Sequence, residues 1–222
     1  MMVEARMKEY IWYASYGSNI STARFMCYIN GGKAIGALTS EEGCKDNTPP
    51  IKSSTLQINR QQYFKKSAKR WQGKGVAFLG VEESVDTTLG QMYLITKDQF
   101  ADVVKQENGI RVNQFLDLKL EEANRIGYAT VTKGWYGRIM YLGEKEGYPI
   151  YTFTSPESFD DEPYKGPSRE YIQMISRGIF EHYELSIQGL VDYFYIKPGV
   201  KEEFTRESLN ECISIVKEEV NE

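Results

Sequence analysis

The sequence predicts an α+β fold, with helices packed around an antiparallel or mixed sheet. Three observations carry this. Short β-rich runs and hairpin signals fill the first two-thirds of the chain, and helical periodicities gather in the last third with no evident linker between the two. Aromatic residues make up 13% of the 222 residues and include 16 tyrosines, which suits β-structure and a cavity lined by rings with polar tips. Residues 1–222 are expected to form a single domain, with a helical extension from about residue 190.

Ile11, Tyr13 and Ser15 alternate with Trp12, Ala14 and Tyr16, as expected of a buried strand. Gly17 breaks the pattern, and Ser18, Asn19 and Ser21 offer capping oxygens for a helix over Ser21 to Asn30, stopped by Gly31-Gly32. The turn is either an ordinary connection or a cradle of backbone N–H groups for an anion. Glu41 to Lys52, with Pro49-Pro50, reads as a loop. Leu56 to Asn59 and Gly75 to Val81 read as strands. Between them Lys65, Lys66, Lys69, Arg70 and Lys74 are interleaved with Phe64 and Trp71. That stretch is either a phosphate or single-strand binder or a solvated hairpin tip.

Thr88 to Ile95 is a strand, followed by a capping box, Thr96-Lys97-Asp98-Gln99. Phe100, Val103, Val104 and Glu107 then share one helix face, and Asn108-Gly109 ends the helix. A glutamate on an apolar face, in the last turn, should have a raised pKa, because desolvation and the helix C-terminus both disfavour its charge. Such a carboxylate suits proton transfer near neutral pH. It could equally sit at the rim of that face, reaching water or Arg111.

Leu116, Leu118 and Leu120 alternate with charged residues, the pattern of a half-buried strand. Trp135 to Leu142 and Tyr148 to Phe153 read as a hairpin about Glu144-Lys145-Glu146-Gly147. Ser155 to Gly166 is a loop. Pro167-Ser168 starts a helix to about Tyr183, with Tyr171, Met174, Ile175, Gly178 and His182 on one side. Ile187 to Phe194 and Leu209 to Val220 keep helical spacing, with Pro198-Gly199 between them.

Composition narrows the function. Net charge is −4, which disfavours nucleic acid as the main partner. No apolar run approaches a membrane span, and Met1 to Lys8 lacks the apolar core of a signal peptide. A cytoplasmic location is expected. Three scattered cysteines without a C-x-x-C pair read as reduced thiols. The single histidine, His182, excludes zinc sites built on several histidines and mechanisms that need two. It reads as a satisfied boundary histidine. A catalytic base would then be a carboxylate, lysine or tyrosine.

Four stretches, in order, resemble the γ-glutamylcyclotransferase-like family. Tyr13-Ala14-Ser15-Tyr16-Gly17-Ser18-Asn19 is similar to its Tyr-Gly-Ser-Asn loop. Trp71-Gln72-Gly73-Lys74-Gly75-Val76-Ala77 looks like a family stretch. Lys105-Gln106-Glu107-Asn108-Gly109 resembles its Glu-Gly helix end, and Pro167-Ser168-Arg169-Glu170-Tyr171 its Pro-Ser-x-x-Tyr helix start. The likeness spans roughly Tyr10 to Leu190. Departures are Ala14 and Ser15 after the first tyrosine, Ile110-Arg111-Val112 after the glutamate, and the region beyond Gly189, which does not align.

The resemblance implies a small mixed β-barrel wrapped by helices, and cyclisation of a γ-glutamyl group to 5-oxoproline with release of an amine. Glu107 would be the catalytic base and acid. The backbone of Tyr13, Ala14, Ser15, Tyr16, Gly17 and Ser18 would hold the γ-glutamyl moiety, and Tyr171 would bind substrate. Neither metal nor organic cofactor is expected, and a homodimer is a family-level expectation. The implied partner is a small-molecule γ-glutamyl substrate, with no nucleic acid and no membrane. A deacylase that strips a γ-glutamyl group from a larger intermediate by the same cyclisation, or a binding protein that has lost turnover, would keep the same motifs.

Overall fold

The computed structural model describes residues 8–34, 38–158 and 161–221. Most of the Met1–Lys8 segment, and Phe159 and Asp160 of the Ser155–Gly166 loop, lie outside the described residues.

Six strands form one sheet. They are β1 (Tyr10–Ser15), β2 (Lys52–Ile58), β5 (Thr88–Thr96), β6 (Tyr128–Thr130), β7 (Arg138–Lys145) and β8 (Tyr148–Thr154), in the order β2-β5-β1-β8-β7-β6. The β1–β8 pair is parallel and the others antiparallel. Every residue of β5 is buried, which follows from its position between β2 and β1. The β7–β8 turn places Glu146 and Gly147 at φ 53° and 78°, the positive values that a two-residue hairpin turn requires. The remaining strands, β3 (Gln62–Ala68) and β4 (Lys74–Leu79), make a separate hairpin.

The α+β class is the one the sequence predicts, but the sheet is open rather than a closed barrel. It curls instead. A bulge in β7 between Tyr141 and Glu144 bends that strand. Lys145 Nζ then reaches Ser54 Oγ at 2.7 Å and Lys52 pairs with Glu146, so side chains rather than a backbone ladder join β2 to β7. Inside the curl Trp12, Ala14, Met92, Leu94 and Ile150 are buried, with Leu56 and Leu142 packed on them. Burying a side chain as large as Trp12 contributes roughly 2–3 kcal/mol.

The other face of the sheet carries Tyr13, Tyr93, Tyr151 and Phe153. It is covered by α1 (Thr22–Asn30), α2 (Lys97–Glu107) and α3 (Leu120–Ile126) through Phe25, Phe100, Val103 and Ala123. The α2 capping box forms as expected, with Thr96 and Gln99 each satisfying the other's backbone N–H. Its C-terminus closes with Ile110 N–H donating to Lys105 O at 2.9 Å, while Gly109 takes φ 67°. A last group of helices, α4 (Arg169–His182), α5 (Ile187–Tyr195) and α6 (Arg206–Asn221), packs with the hairpin around Phe64, Phe78, Ile175, Phe194 and Ile213.

Three local expectations are corrected. Leu116–Leu120 is not a strand: no neighbour offers a ladder, Leu118 and Leu120 are simply buried, and Leu120 begins α3. A single turn of 3-10 helix over Ser18–Ile20 precedes α1, and Ser21 makes no side-chain cap. Glu181 of α4 caps α1 instead, accepting from Thr22 N–H at 2.9 Å and Ser21 Oγ at 3.1 Å, where an anion is favoured. The basic stretch is a hairpin, but its tip is not merely solvated. Phe64, Lys65, Ala68 and Trp71 are all buried.

The hairpin is pinned on three sides. Thr154 Oγ accepts from Leu79 N–H at 3.0 Å and donates to Leu79 O at 2.8 Å. Gly75 N–H donates to Gly166 O, and Phe64 N–H to Pro198 O, both at 2.8 Å. These bonds anchor the hairpin that carries Arg70.

Candidate active site

A cavity of about 480 Å³ opens between the sheet and the hairpin, within the range typical of small-molecule sites. It is lined by the end of β1 and the turn that follows it (Tyr13, Ser15, Tyr16, Gly17, Ser18 and Asn19), the end of α2 (Gln106 and Glu107), and Tyr171 in the first turn of α4. The hairpin adds Lys69, Arg70 and Trp71, and the loop before β7 adds Trp135 and Tyr136. Ala14 is absent from this lining. Strand alternation turns its methyl group to the opposite face, into the cluster with Trp12 and Met92.

The Gly17 turn is held from outside the cavity. Tyr93 OH donates to Asn19 O at 3.0 Å, and Gln62 Nε2 donates to Tyr16 O at 2.6 Å. Gly17 itself has φ −115°, open to any residue, so backbone strain does not call for glycine. Space does: a Cβ there would lie 3.1 Å from the Tyr171 hydroxyl. Tyr171 is placed by its own helix start, where Ser168 Oγ accepts from Tyr171 N–H at 3.2 Å. Its ring packs on Trp71 at 4.6 Å between centroids.

Glu107 is half-buried and lines the cavity. Asn19 Nδ2 donates to its Oε1 at 3.2 Å. The next residue, Asn108, clamps the neighbouring loop by donating to Tyr136 O and accepting from Tyr136 N–H. Gln106 ties the same turn to α1 and its following loop, through Tyr28 O and Gly43 N–H. The carboxylate therefore stands on a fixed helix end.

Burial raises the Glu107 pKa, and this outweighs the lowering by Arg70, by a hydrogen bond from Tyr28 and by Arg24. Glu41 adds to the rise. Burial also raises the Tyr13, Tyr16, Tyr28, Tyr136 and Tyr171 hydroxyls. They stay protonated at neutral pH and are available as donors. Behind the cavity Arg24 Nη2 pairs with Glu41 Oε1 at 2.6 Å, and Arg70 Nη1 approaches the same oxygen at 3.3 Å. The Asn19 Oδ1 atom is buried and without a partner among the described residues.

Sequence reasoning singled out Gly17, Glu107 and Tyr171, which line one cavity; it named Arg70 only as part of the basic stretch and passed over Tyr28 and Tyr136. For Arg70 the one usable signal was its place directly before the Trp71–Ala77 stretch. Tyr28 carried only its spacing of four from Arg24 on one helix face. His182 is a boundary residue bonded to Thr22 Oγ1 at 3.1 Å, its pKa lowered by burial. Among the described residues no group of three or more His, Cys, Asp or Glu could hold a metal ion. No helix there is long and apolar enough to cross a membrane.

No family model matches the chain. It is 32% identical over 205 residues to histone deacetylase 5 of Arabidopsis thaliana, a match that takes in 85% of this chain and 31% of that protein. The chain thus spans under a third of that relative's length. A solved structure described as a γ-glutamyl cyclotransferase is similar with a TM-score of 0.50 at 16% identity, over 95% of this chain and 99% of that one. An uncharacterized human protein is similar at a TM-score of 0.48 and 17% identity, over the same shares of the two chains.

Proposed function

Starting from the γ-glutamyl cyclotransferase fold that this chain has, we propose that it cyclises the γ-glutamyl group of a small amine, amino acid or peptide derivative to 5-oxoproline and releases the amine. One observation carries the reading: Glu107, with a pKa raised by burial, faces the same cavity as the Gly17 turn and Tyr171.

The chemistry needs little else. The substrate's own α-amine attacks its γ-carbonyl, so nucleophile and electrophile are already tethered and the protein mainly has to fold the substrate. The α-ammonium donates to Asn19 Oδ1 and Glu107, and Glu107 takes the proton that must leave before attack. The nitrogen lone pair then forms the ring C–N bond, and the carbonyl oxygen becomes an oxyanion. N–H groups of the Gly17 turn face that charge. As the tetrahedral centre collapses, the bond to the leaving amine breaks and protonated Glu107 gives its proton to that nitrogen; the carboxylate so restored takes the second proton from the ring nitrogen and passes it to the departing amine, which leaves as an ammonium. One carboxylate serves both transfers because its pKa lies closer to neutrality than an ordinary glutamate's.

The deacetylase activity in the plant relative's name is not carried over. The match covers 31% of that protein, and a single histidine here gives no support for a metal-centred reading. Incubation with a panel of γ-glutamyl amines, amino acids and peptides, assayed for 5-oxoproline, tests the proposal. Product from at least one class is expected. Ligand binding without product from any of them would leave a binding protein of the same fold.

A further inference from the structure

Behind the cavity lies a charge cluster that the proposed reaction does not use. Arg24 is 1% exposed and Glu41 7%, so both are buried at a cost that pairing must offset. Arg24 Nη2 donates to Glu41 Oε1 at 2.6 Å and to Tyr28 OH at 3.3 Å. Arg70, reaching in from the hairpin tip, donates through Nη1 to the same two oxygens, at 3.3 and 3.2 Å. The Tyr28 hydroxyl oxygen thus accepts from two guanidinium groups. A phenol oxygen has two lone pairs and one proton. With both lone pairs taken, the proton has to be donated away from the two guanidinium groups, and Glu107 lines the same cavity as Tyr28.

We propose that Arg70 is a positioning residue for Glu107: with Arg24 it occupies the acceptor side of the Tyr28 hydroxyl and so turns the Tyr28 proton onto the Glu107 carboxylate. The consequence rests on the cyclotransferase reading, in which Glu107 must be ionised before it can accept a proton. A hydrogen bond to the charged form favours ionisation. The hairpin therefore does more than wall the cavity. By seating Arg70 it completes the base, so substrate-side chemistry depends on how β3 and β4 are docked.

Other groups around Glu107 also bear on its titration. Tyr13 approaches from β1, Tyr171 from α4 and Tyr136 from the loop before β7, all protonated donors or neutral rings. Arg24 belongs to α1 and Glu41 to the loop that follows. Arg70 acts on Glu107 directly through its charge as well, and the test has to separate that charge from the Tyr28 route.

Arg70→Lys does so, since it keeps the charge and loses the planar fork. The measurement is the carbon-13 titration of the Glu107 side-chain carboxyl in the full chain, which needs no turnover. The expected result is a midpoint moved to higher pH in Arg70→Lys and in Tyr28→Phe, with Arg70→Lys adding little once Tyr28 is phenylalanine. The acid limb of kcat should move the same way. A midpoint unmoved by Tyr28→Phe, or a rise on Arg70→Lys that is the same with Tyr28 and with Phe at position 28, would overturn the proposal. If the midpoints move as expected and no γ-glutamyl compound gives 5-oxoproline, the positioning stands and the cyclotransferase reading fails.

Discussion

At the scale of single residues, the buried Glu107 carboxyl costs native stability when it ionises. A carboxyl whose folded-state pKa is raised favours the protonated native state, so ionising it costs native stability at every pH above its unfolded-state value. Glu107→Gln, which mimics the protonated form, is expected to melt at a higher temperature than the wild type at pH 7. The difference should vanish as pH falls below about 4.3, where both states are protonated in the wild type. Calorimetric melts from pH 4 to 8 check this. Gly17 carries a different constraint. In Gly17→Ala the new methyl group would press on the Tyr171 hydroxyl from 3.1 Å. A loss of roughly tenfold or more in kcat/KM is expected from so small a displacement, with melting hardly changed because φ stays allowed.

At the scale of elements, the hairpin is the piece whose docking matters most. Thr154→Val removes the hydroxyl that satisfies both Leu79 N–H and Leu79 O. Urea denaturation should show a loss of about 1–3 kcal/mol from the two unpaired groups, and kcat should fall because Arg70 rides on that hairpin. Elements also explain what was legible beforehand. The end of α2 could be read because its capping box, its apolar face and its Asn108-Gly109 stop are all local in sequence. The Pro167-Ser168 helix start that places Tyr171 is local in the same way, whereas the expectation that Tyr171 belongs to the site came from the family resemblance. The Arg70 contacts were hidden, since its partners Tyr28 and Glu41 lie 42 and 29 positions away and a run of lysines around it reads as solvated surface. The Leu116–Leu120 alternation misled for a related reason: period two reports a half-buried segment, but a strand also needs a neighbour with free backbone groups.

At the scale of the whole molecule, the sheet curls around Trp12 without closing. Trp12 is 1% exposed and donates from its indole nitrogen to Lys145 O at 3.0 Å, so it fills the curl and holds β7 toward β1. Trp12→Ala is expected to cost about 3–5 kcal/mol, measured by denaturant unfolding. Breaking the exposed Lys52–Glu146 pair should cost little, because solvent screens it. The resemblance implied a closed barrel, and the difference lies in edges: β2 and β7 meet through side chains, which leave no periodic trace in the sequence. The curl brings the β1 turn, the α2 end and the hairpin to one cavity, where the proposed reaction divides substrate holding and proton transfer between backbone and Glu107.

That division is tested most directly by Glu107→Gln, assayed for 5-oxoproline with whichever γ-glutamyl compound the wild type turns over and, in parallel, for binding of that compound. Turnover should be lost with the fold intact and binding retained. A Gln variant that kept a near-wild-type rate would contradict the account.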